Sequence, residues 1–225
     1  MTNPIKPTIK TEILPIVLIL LAVVVSFYFY SNFPERVPIH WNIAGQPDNW
    51  GSRTMAAFLF PGIMIGMYFL FLFLPYMDPK KERYQQFRKV YHVFKGILLF
   101  FMVAIYFISS LNALGYNISV ELWVPVLVGM LFIILGNYMG KIKPNWFMGI
   151  RTPWTLSSED VWNKTHRFGG KMFILGGVLM SLMYFIPVSL RMWLFGIILA
   201  IILLGTVGYS YFLFLKEKRN ERPNN

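Results

Sequence analysis

Six long intervals of this chain contain no aspartate, glutamate, lysine or arginine, and they limit its possible folds more than any other feature. Each interval has at least 19 residues, and they cover 13–34, 54–77, 96–120, 122–140, 172–190 and 192–215. A helix that crosses a bilayer needs about 20 mainly apolar residues. The intervals therefore predict an all-α integral membrane protein with six transmembrane helices.

Small residues recur within these intervals, at Gly62 with Gly66 and at Gly176 with Gly177. Such residues let the backbones of neighbouring helices approach closely. We therefore expect both pairs to be positions of helix–helix packing. The chain contains no cysteine, which excludes disulfides and thiolate chemistry.

The basic residues are distributed unevenly among the segments that connect the predicted helices. If every helix crosses the membrane, 18 of the 21 lysine and arginine residues lie on one side. Basic connecting segments stay in the cytoplasm, so we predict that both termini are cytoplasmic. Topology then explains the net charge of +11, with attraction to anionic lipid headgroups as a secondary effect. We expect no direct binding to nucleic acid.

Residues 33–53 form the one sizeable loop on the predicted outer side. Dense turn residues, in the sequences GQPD and NWG, predict an ordered loop, and residues 37–41 predict a short extended piece. One histidine with one or two carboxylates gives too few ligands for a metal site. The loop is either a structural cover over the helices or a ligand-sensing lid. The candidate residues for ligand sensing are Pro38, His40, Trp41, Asn42, Gly45 and Asp48.

Residues 141–171 form a long polar loop on the predicted inner side. Ser157 as a cap and Asp160 three residues later predict the start of a short helix. Gly169 and Gly170 are expected to end this helix before the fifth transmembrane helix begins. A short helix with tryptophan on one face is expected to lie along the membrane surface.

The spacing within this inner helix places Trp162 and His166 on one face and brings Asp160 and Lys164 together as an ion pair. Arg151 is a permanent cation that can hold a carboxylate or a phosphate. The loop either braces the helix ends or docks a partner, and catalysis is disfavoured because no nucleophile–base pair has a diagnostic spacing. The candidate residues for either role are Asn145, Gly149, Arg151, Thr152, Pro153, Trp154, Trp162 and His166.

The inner segment NWFMGIRTPWTLSSEDVWNKTHRFGGK, residues 145–171, resembles the signature of the SdpI family of bacterial membrane proteins. The outer segment PERVPIHWNIAGQPDNWGSR, residues 34–53, resembles the small domain of unknown function that often precedes this family. The chain then divides into four parts: a two-helix unit at 1–77, a basic inner linker at 78–95, a four-helix region at 96–215 and a basic cytoplasmic tail at 216–225.

The resemblance implies a six-helix protein of the bacterial cell membrane that gives immunity to a secreted toxic peptide. It also implies that the protein relays the presence of the peptide by capturing a cytosolic transcriptional repressor. We expect no enzymatic activity and no cofactor or metal. A small transporter or permease is the alternative, although no ionisable residue is predicted at a helix midpoint. A membrane-embedded enzyme that uses Arg151, Glu159 and His166 is a weaker one.

Overall fold

The computed structural model describes residues 4–220, most of which are helical. The helices are α1 (Ile9–Asn32), α2 (Arg53–Met77), α3 (Arg88–Ala113), α4 (Val120–Met139), α5 (Pro153–Ser157), α6 (Glu159–Ser181) and α7 (Val188–Asn220). Two 3-10 segments, Lys81–Phe87 and Met183–Phe185, precede α3 and α7. The end of the predicted tail, residues 221–225 with Arg222, lies outside the described residues.

Side-chain caps fix where the first two helices begin. Thr8 caps α1 by accepting from the backbone N–H of Thr11 at 3.3 Å, and the Thr11 hydroxyl oxygen accepts from the N–H of Thr8 at 3.0 Å. Ser52 caps α2 in the same way, at 3.2 Å from the N–H of Met55. These caps satisfy N–H groups that have no partner within the helix.

The segment after α1 folds into an antiparallel β-hairpin. Strand β1 (Arg36–Trp41) pairs with strand β2 (Pro47–Ser52), with an irregular register between Pro38 and His40. The extended piece predicted at residues 37–41 is confirmed as β1, but β2 was not predicted. The all-α class is therefore amended by one hairpin, which forms because the turn residues between the strands let the two segments pair their backbone groups.

Five helical segments among residues 4–220 are long and apolar enough to cross a membrane: Ile9–Asn32, Arg53–Met77, Lys81–Ala113, Val120–Met139 and Val188–Asn220. They correspond to five of the six predicted spans. The remaining interval, 172–190, is divided between the end of α6, the second 3-10 segment and the start of α7. The charged residues of α6 extend as far as Lys171, so the uncharged part of this helix covers only residues 172–181.

The short inner helix and the start of the fifth span are one continuous helix, α6. The prediction that Gly169 and Gly170 end a separate helix is wrong, because both lie inside α6. The cap is Ser158, which accepts from the N–H of Val161 at 3.3 Å, rather than Ser157, which is the last residue of α5. The separate short helix of this loop is α5.

Glycines bring α4 and α6 into direct backbone contact, which explains why α6 tolerates them. A Cβ atom on Gly136 would lie 2.6 Å from the carbonyl oxygen of Gly170, and one on Gly177 would lie 2.5 Å from that of Gly129. Gly176 faces Ile202 of α7. Of the two predicted packing pairs, Gly176 with Gly177 is confirmed. The prediction for Gly62 and Gly66 is wrong, because no described atom outside their own helix lies within 4 Å of a Cβ on either.

The long helices form two groups that meet at α3 and α4. Helices α1, α2 and α3 pack on one another, α6 packs against both α4 and α7, and α3 contacts α4. A hydrophobic core joins the two groups beneath the loop before α5. Its buried residues include Tyr84, Tyr91, Met139, Ile142 and Trp162. This core fixes the position of the inner loop relative to both groups.

Substituting alanine for Gly136 tests the contact between α4 and α6. The added methyl overlaps the Gly170 carbonyl, and overpacking of this kind costs about 1–3 kcal/mol. We expect a lower midpoint of thermal unfolding in detergent. Gly66→Ala is the matched control, since it adds the same methyl where there is open space. Equal stability of Gly136→Ala and Gly66→Ala would contradict the observed helix contact.

Candidate functional site

Asn145 organises the turn that follows α4. Its side chain is completely buried, and its amide nitrogen donates to the carbonyls of Lys143 and Met148 at 2.9 and 3.1 Å. Its amide oxygen accepts from the N–H groups of Phe147 and Met148 at 2.9 and 2.6 Å. An asparagine supplies both kinds of group from one short side chain, so it satisfies four backbone groups that the turn leaves without partners.

His166 connects α6 to the middle of the loop. Its imidazole is completely buried, and Nε2 accepts from the N–H of Ile150 at 2.9 Å. Because Nε2 is an acceptor, Nδ1 carries the proton and donates to the carbonyl of Trp162 at 2.9 Å. Burial lowers the pKa of His166 to about 4, so the ring is neutral at physiological pH. Both ring nitrogens are thus engaged within the protein.

Trp162 lies directly against this histidine, as their spacing in the sequence predicted. The ring centroids are 4.1 Å apart in a stacked arrangement, and the indole N–H donates to the carbonyl of Ile142 at 2.9 Å. The Nε2 edge of the imidazole requires a glycine. Gly149 has φ +102°, and a Cβ atom there would overlap Nε2 of His166. Trp162, His166 and Gly149 therefore form one packed unit.

The second half of the loop is bonded to α7. Thr152 caps α5, Pro153 is the first residue of that helix, and the Thr152 hydroxyl lies 3.0 Å from that of Ser210. Trp154 packs on Tyr211, with ring centroids 4.8 Å apart. Ser158 donates to Glu217 at 2.8 Å.

Asp78 is a structural residue of this site that the sequence analysis missed. Its buried carboxylate accepts from the N–H of Lys80 at 2.7 Å, from the Tyr84 hydroxyl at 2.9 Å and from the N–H of Trp146 at 2.9 Å. It thereby attaches the end of α2 to the inner loop. The available signal was a single acid at the boundary between an uncharged interval and a strongly basic segment.

Arg151 differs from its neighbours because it is exposed. Its guanidinium donates to the carbonyl of Trp146 at 2.5 Å, and it forms no ion pair among residues 4–220. The ion pair predicted between Asp160 and Lys164 is present at 2.5 Å. The exposed cations on and around this loop are Lys141, Arg151, Lys164, Arg167 and Lys171. Of the predicted inner residues, Asn145, Thr152, Trp162 and His166 are buried, while Arg151 and Pro153 face outward.

The outer candidates lie on the hairpin. Nδ1 of His40 is 2.5 Å from a carboxylate oxygen of Asp48, and the Trp41 indole donates to Asn112 of α3 at 3.0 Å. Asn42 closes the turn by accepting from the N–H groups of Ala44 and Gln46 at 3.0 and 3.1 Å. These bonds hold β1 and the turn in a fixed position at the C-terminal end of α3.

Gly45 brings the tip of the hairpin against the start of α4. It has φ +74°, and a Cβ atom there would lie 2.8 Å from Cβ of Glu121. Glu121 lies 3.5 Å from the guanidinium of Arg191, near the start of α7. The hairpin therefore contacts one end of α4, and the inner loop begins at the other end, about 30 Å away for 20 residues.

A cavity of about 310 Å³ lies beneath strand β1. Its walls come from β1, the start of α2, the end of α3 and the start of α4. They are mostly apolar, and include Val37, Pro38, Leu59, Ile105, Ile108, Ala113 and Val124, with Ser109 and Ser110 among the few polar groups. A space of this size and character suits an apolar group rather than a charged one.

A buried ion pair joins α1 to α3. The ammonium of Lys95 lies 2.7 and 2.6 Å from the two carboxylate oxygens of Glu12, and it also lies 5.4 Å from the centre of the Tyr68 ring. This pair was not predicted from the sequence. Its signal was weak, because each residue directly precedes an uncharged interval and is then read as the end of a loop.

Comparison with known proteins supports the resemblance drawn from the sequence. Residues 141–210 match the SdpI/YfhL protein family, and residues 17–65 match a domain of unknown function, DUF1648. The immunity protein SdpI of Bacillus subtilis (strain 168) is 26% identical over 212 residues, which cover 93% of this chain and 100% of that protein. No solved structure matches the chain. The first match extends from the start of the inner loop to Ser210, the α7 residue that contacts Thr152.

The buried neutral imidazole makes the stability of the protein depend on pH. An unfolded chain protonates His166 near its ordinary pKa of 6.5, whereas the folded protein protonates it only near 4. The neutral imidazole therefore contributes about 3 kcal/mol to the free energy of unfolding above pH 6.5, and this contribution is lost as the pH falls towards 4.

We expect the midpoint of thermal unfolding in detergent to fall between pH 6.5 and pH 4.5 in the unmodified protein. His166→Gln should be less stable at pH 7.5 and should lack most of this fall. The control His40→Gln removes an exposed imidazole at the other end of α4 and should retain it. An unchanged pH dependence in His166→Gln would contradict the assignment.

Proposed function

We propose that this chain, which belongs to the SdpI/YfhL family, protects a bacterial cell from a secreted toxic peptide. Its similarity to a protein named as an immunity protein extends over nearly its whole length. Five helices of membrane-spanning length and composition support a location in the cell membrane. The cavity beneath the hairpin is the observation that carries the proposal, because it offers a built site for an apolar group at one end of the helices.

Both termini are cytoplasmic in this proposal, and the second half of α6, within the uncharged interval 172–190, belongs to the sixth span. The bias of 18 of the 21 basic residues towards one side supports the orientation. The contact of α6 with both α4 and α7 supports the sixth span, because neighbouring helices shield part of its surface from lipid. The hairpin then faces the outside, and the inner loop faces the cytoplasm.

The toxic peptide binds at the outer cavity by inserting an apolar side chain beneath β1. The cavity lies where the hairpin, α2, α3 and α4 meet, so a bound group contacts four elements at once. His40 and Trp41 also line the cavity, and the exposed His40 is available to the rest of the peptide. An apolar peptide reaches this site either from outside the cell or along the outer part of the membrane.

The same proposal includes a relay to the cytoplasm. The hairpin contacts α4 at Glu121, and α4 leads directly to the inner loop, where exposed cations form a surface that suits an acidic partner. A cytosolic transcriptional repressor is the partner that we propose. Binding outside alters binding inside only if the peptide favours one arrangement of the helices over another.

The proposal assigns no enzymatic role. His166 is completely buried, and its two nitrogens are occupied by the backbone of Ile150 and Trp162. Glu159, the proposed acid of the alternative enzyme, instead pairs with Arg83 at 2.7 Å. A buried histidine without a free nitrogen cannot exchange a proton with a substrate.

Filling the outer cavity tests the immunity proposal. When expressed in a sensitive bacterium, the unmodified protein should protect it from toxic peptides secreted by the bacterium that carries this chain. Ala113→Phe should lower the lethal peptide concentration about tenfold relative to the unmodified protein. The matched control is Ala200→Phe, which adds the same ring to an exposed position on α7. Amounts of both variants in the membrane must be equal. Absence of protection by the unmodified protein against every peptide would refute immunity, and full protection by Ala113→Phe would refute the cavity as the site.

The relay has a separate test. Membranes are purified from cells grown without peptide and with a dose of peptide that cells carrying the protein survive. Soluble proteins that remain bound are then identified by mass spectrometry. A transcriptional regulator should be retained only with peptide, and Arg151→Glu with Arg167→Glu should release it while protection persists. Equal retention with and without peptide would contradict the relay.

A further inference from the structure

A deep groove runs between α1 and α4, with α3 as its floor. Its volume is about 900 Å³, and residues 4–220 leave it open along one side. The long walls are apolar and include Leu14, Ile97, Phe100, Ile133, Ile134 and Ile174. The groove is distinct from the outer cavity, since the two have no lining residue in common.

A glycine gives the groove its depth. Gly96 is in the floor, and a Cβ atom there would meet only Leu14 among the described residues, at 3.6 Å. Every larger side chain at this position would project into the open space. The floor is therefore formed by the backbone of α3, which leaves room for a chain that lies along the helices.

The polar side chains of the groove are at the start of α1, the start of α3 and the end of α4. They are Lys10, Thr11, His92, Asn137 and Tyr138. The ammonium of Lys141 lies 4.9 Å above the ring of Tyr138, so a second cation lies at this end. The groove is thus apolar along its length and positive at one end.

Two lysines at this end are available to a ligand. Among residues 4–220, neither Lys10 nor Lys141 forms an ion pair. The nearest acid at the inner wall is Glu12, which lies 4.0 Å from His92 and is already paired with Lys95. The local charge is therefore positive and lacks a counterion within the described protein.

We propose that this groove binds one anionic phospholipid, with its phosphate between Lys10 and Lys141 and an acyl chain over Gly96. Positive charge at one end and apolar walls elsewhere match an amphiphile with a negative head. A peptide fits less well, because its backbone amides would need partners along walls that offer almost none. An acyl chain has no such requirement. The binding itself does not depend on the immunity proposal.

Lipid binding to the full chain, purified in detergent and stripped of lipid, tests this inference. Native mass spectrometry with phosphatidylglycerol and phosphatidylcholine of identical acyl chains should give at least about tenfold tighter binding of the anionic lipid. Lys10→Gln with Lys141→Gln should abolish the preference. The control pair Lys6→Gln with Lys216→Gln removes the same charge at exposed positions outside the groove. This control should retain the preference for the anionic lipid.

A second variant keeps the test independent of charge. Gly96→Leu should weaken the binding of phosphatidylglycerol by filling the floor, with the thermal unfolding midpoint measured in parallel to show that the variant is folded. Equal affinity for the two lipids, or an equal loss of preference in the control pair, would overturn the proposal. The groove would be a peptide site instead if a synthetic apolar peptide displaced the lipid from the unmodified protein. The same peptide would then also bind the double variant Lys10→Gln with Lys141→Gln.

Discussion

The backbone contact between α4 and α6 fixes the position of the helix that organises the inner loop. Helix α6 carries charged side chains along its first half, so the hydrophobic effect alone gives it little reason to enter an apolar bundle. The paired glycines, Gly136 with Gly170 and Gly129 with Gly177, let the two helices meet without side chains between them. Close contact gains dispersion energy over two turns of each helix. This contact determines where the side chains at the start of α6 project.

Those side chains then organise the inner loop. Trp162 and His166 satisfy the carbonyl of Ile142 and the N–H of Ile150, and Asn145 satisfies the groups between them. Unpaired backbone groups are costly next to a bilayer, so each of these bonds restricts the loop to one conformation. The motif residues thereby separate into buried ones that shape the loop and an exposed cation, Arg151, on its surface. The hydrogen bonds favour the bracing role for the buried residues, and docking at the exposed cation stays a proposal.

Helix α4 relates the two ends of the molecule. Its first turn touches the hairpin tip through Glu121, and Met139 in its last turn packs in the core that contains Ile142 and Trp162. The outer cavity is lined by residues of its first half and the groove by residues of its second half, so this helix borders both proposed ligand sites. A rigid helix in contact with all of them is a direct physical route by which occupancy at one site can alter another.

Features that depend on local pattern could be predicted from the amino-acid order. Uncharged intervals of sufficient length predicted five of the helices, and the four-residue spacing predicted the contacts of Trp162 with His166 and Asp160 with Lys164. Whether Gly169 and Gly170 break a helix or allow one to pack could be seen only in the folded protein, because a glycine has the same local cost in both cases. The tertiary structure alone revealed the pairing of Glu12 with Lys95 and the role of Asp78, because their partners are distant in the chain. Local sequence specifies which segments can be helices, but the groups that neutralise a buried charge are known only once the helices are in place.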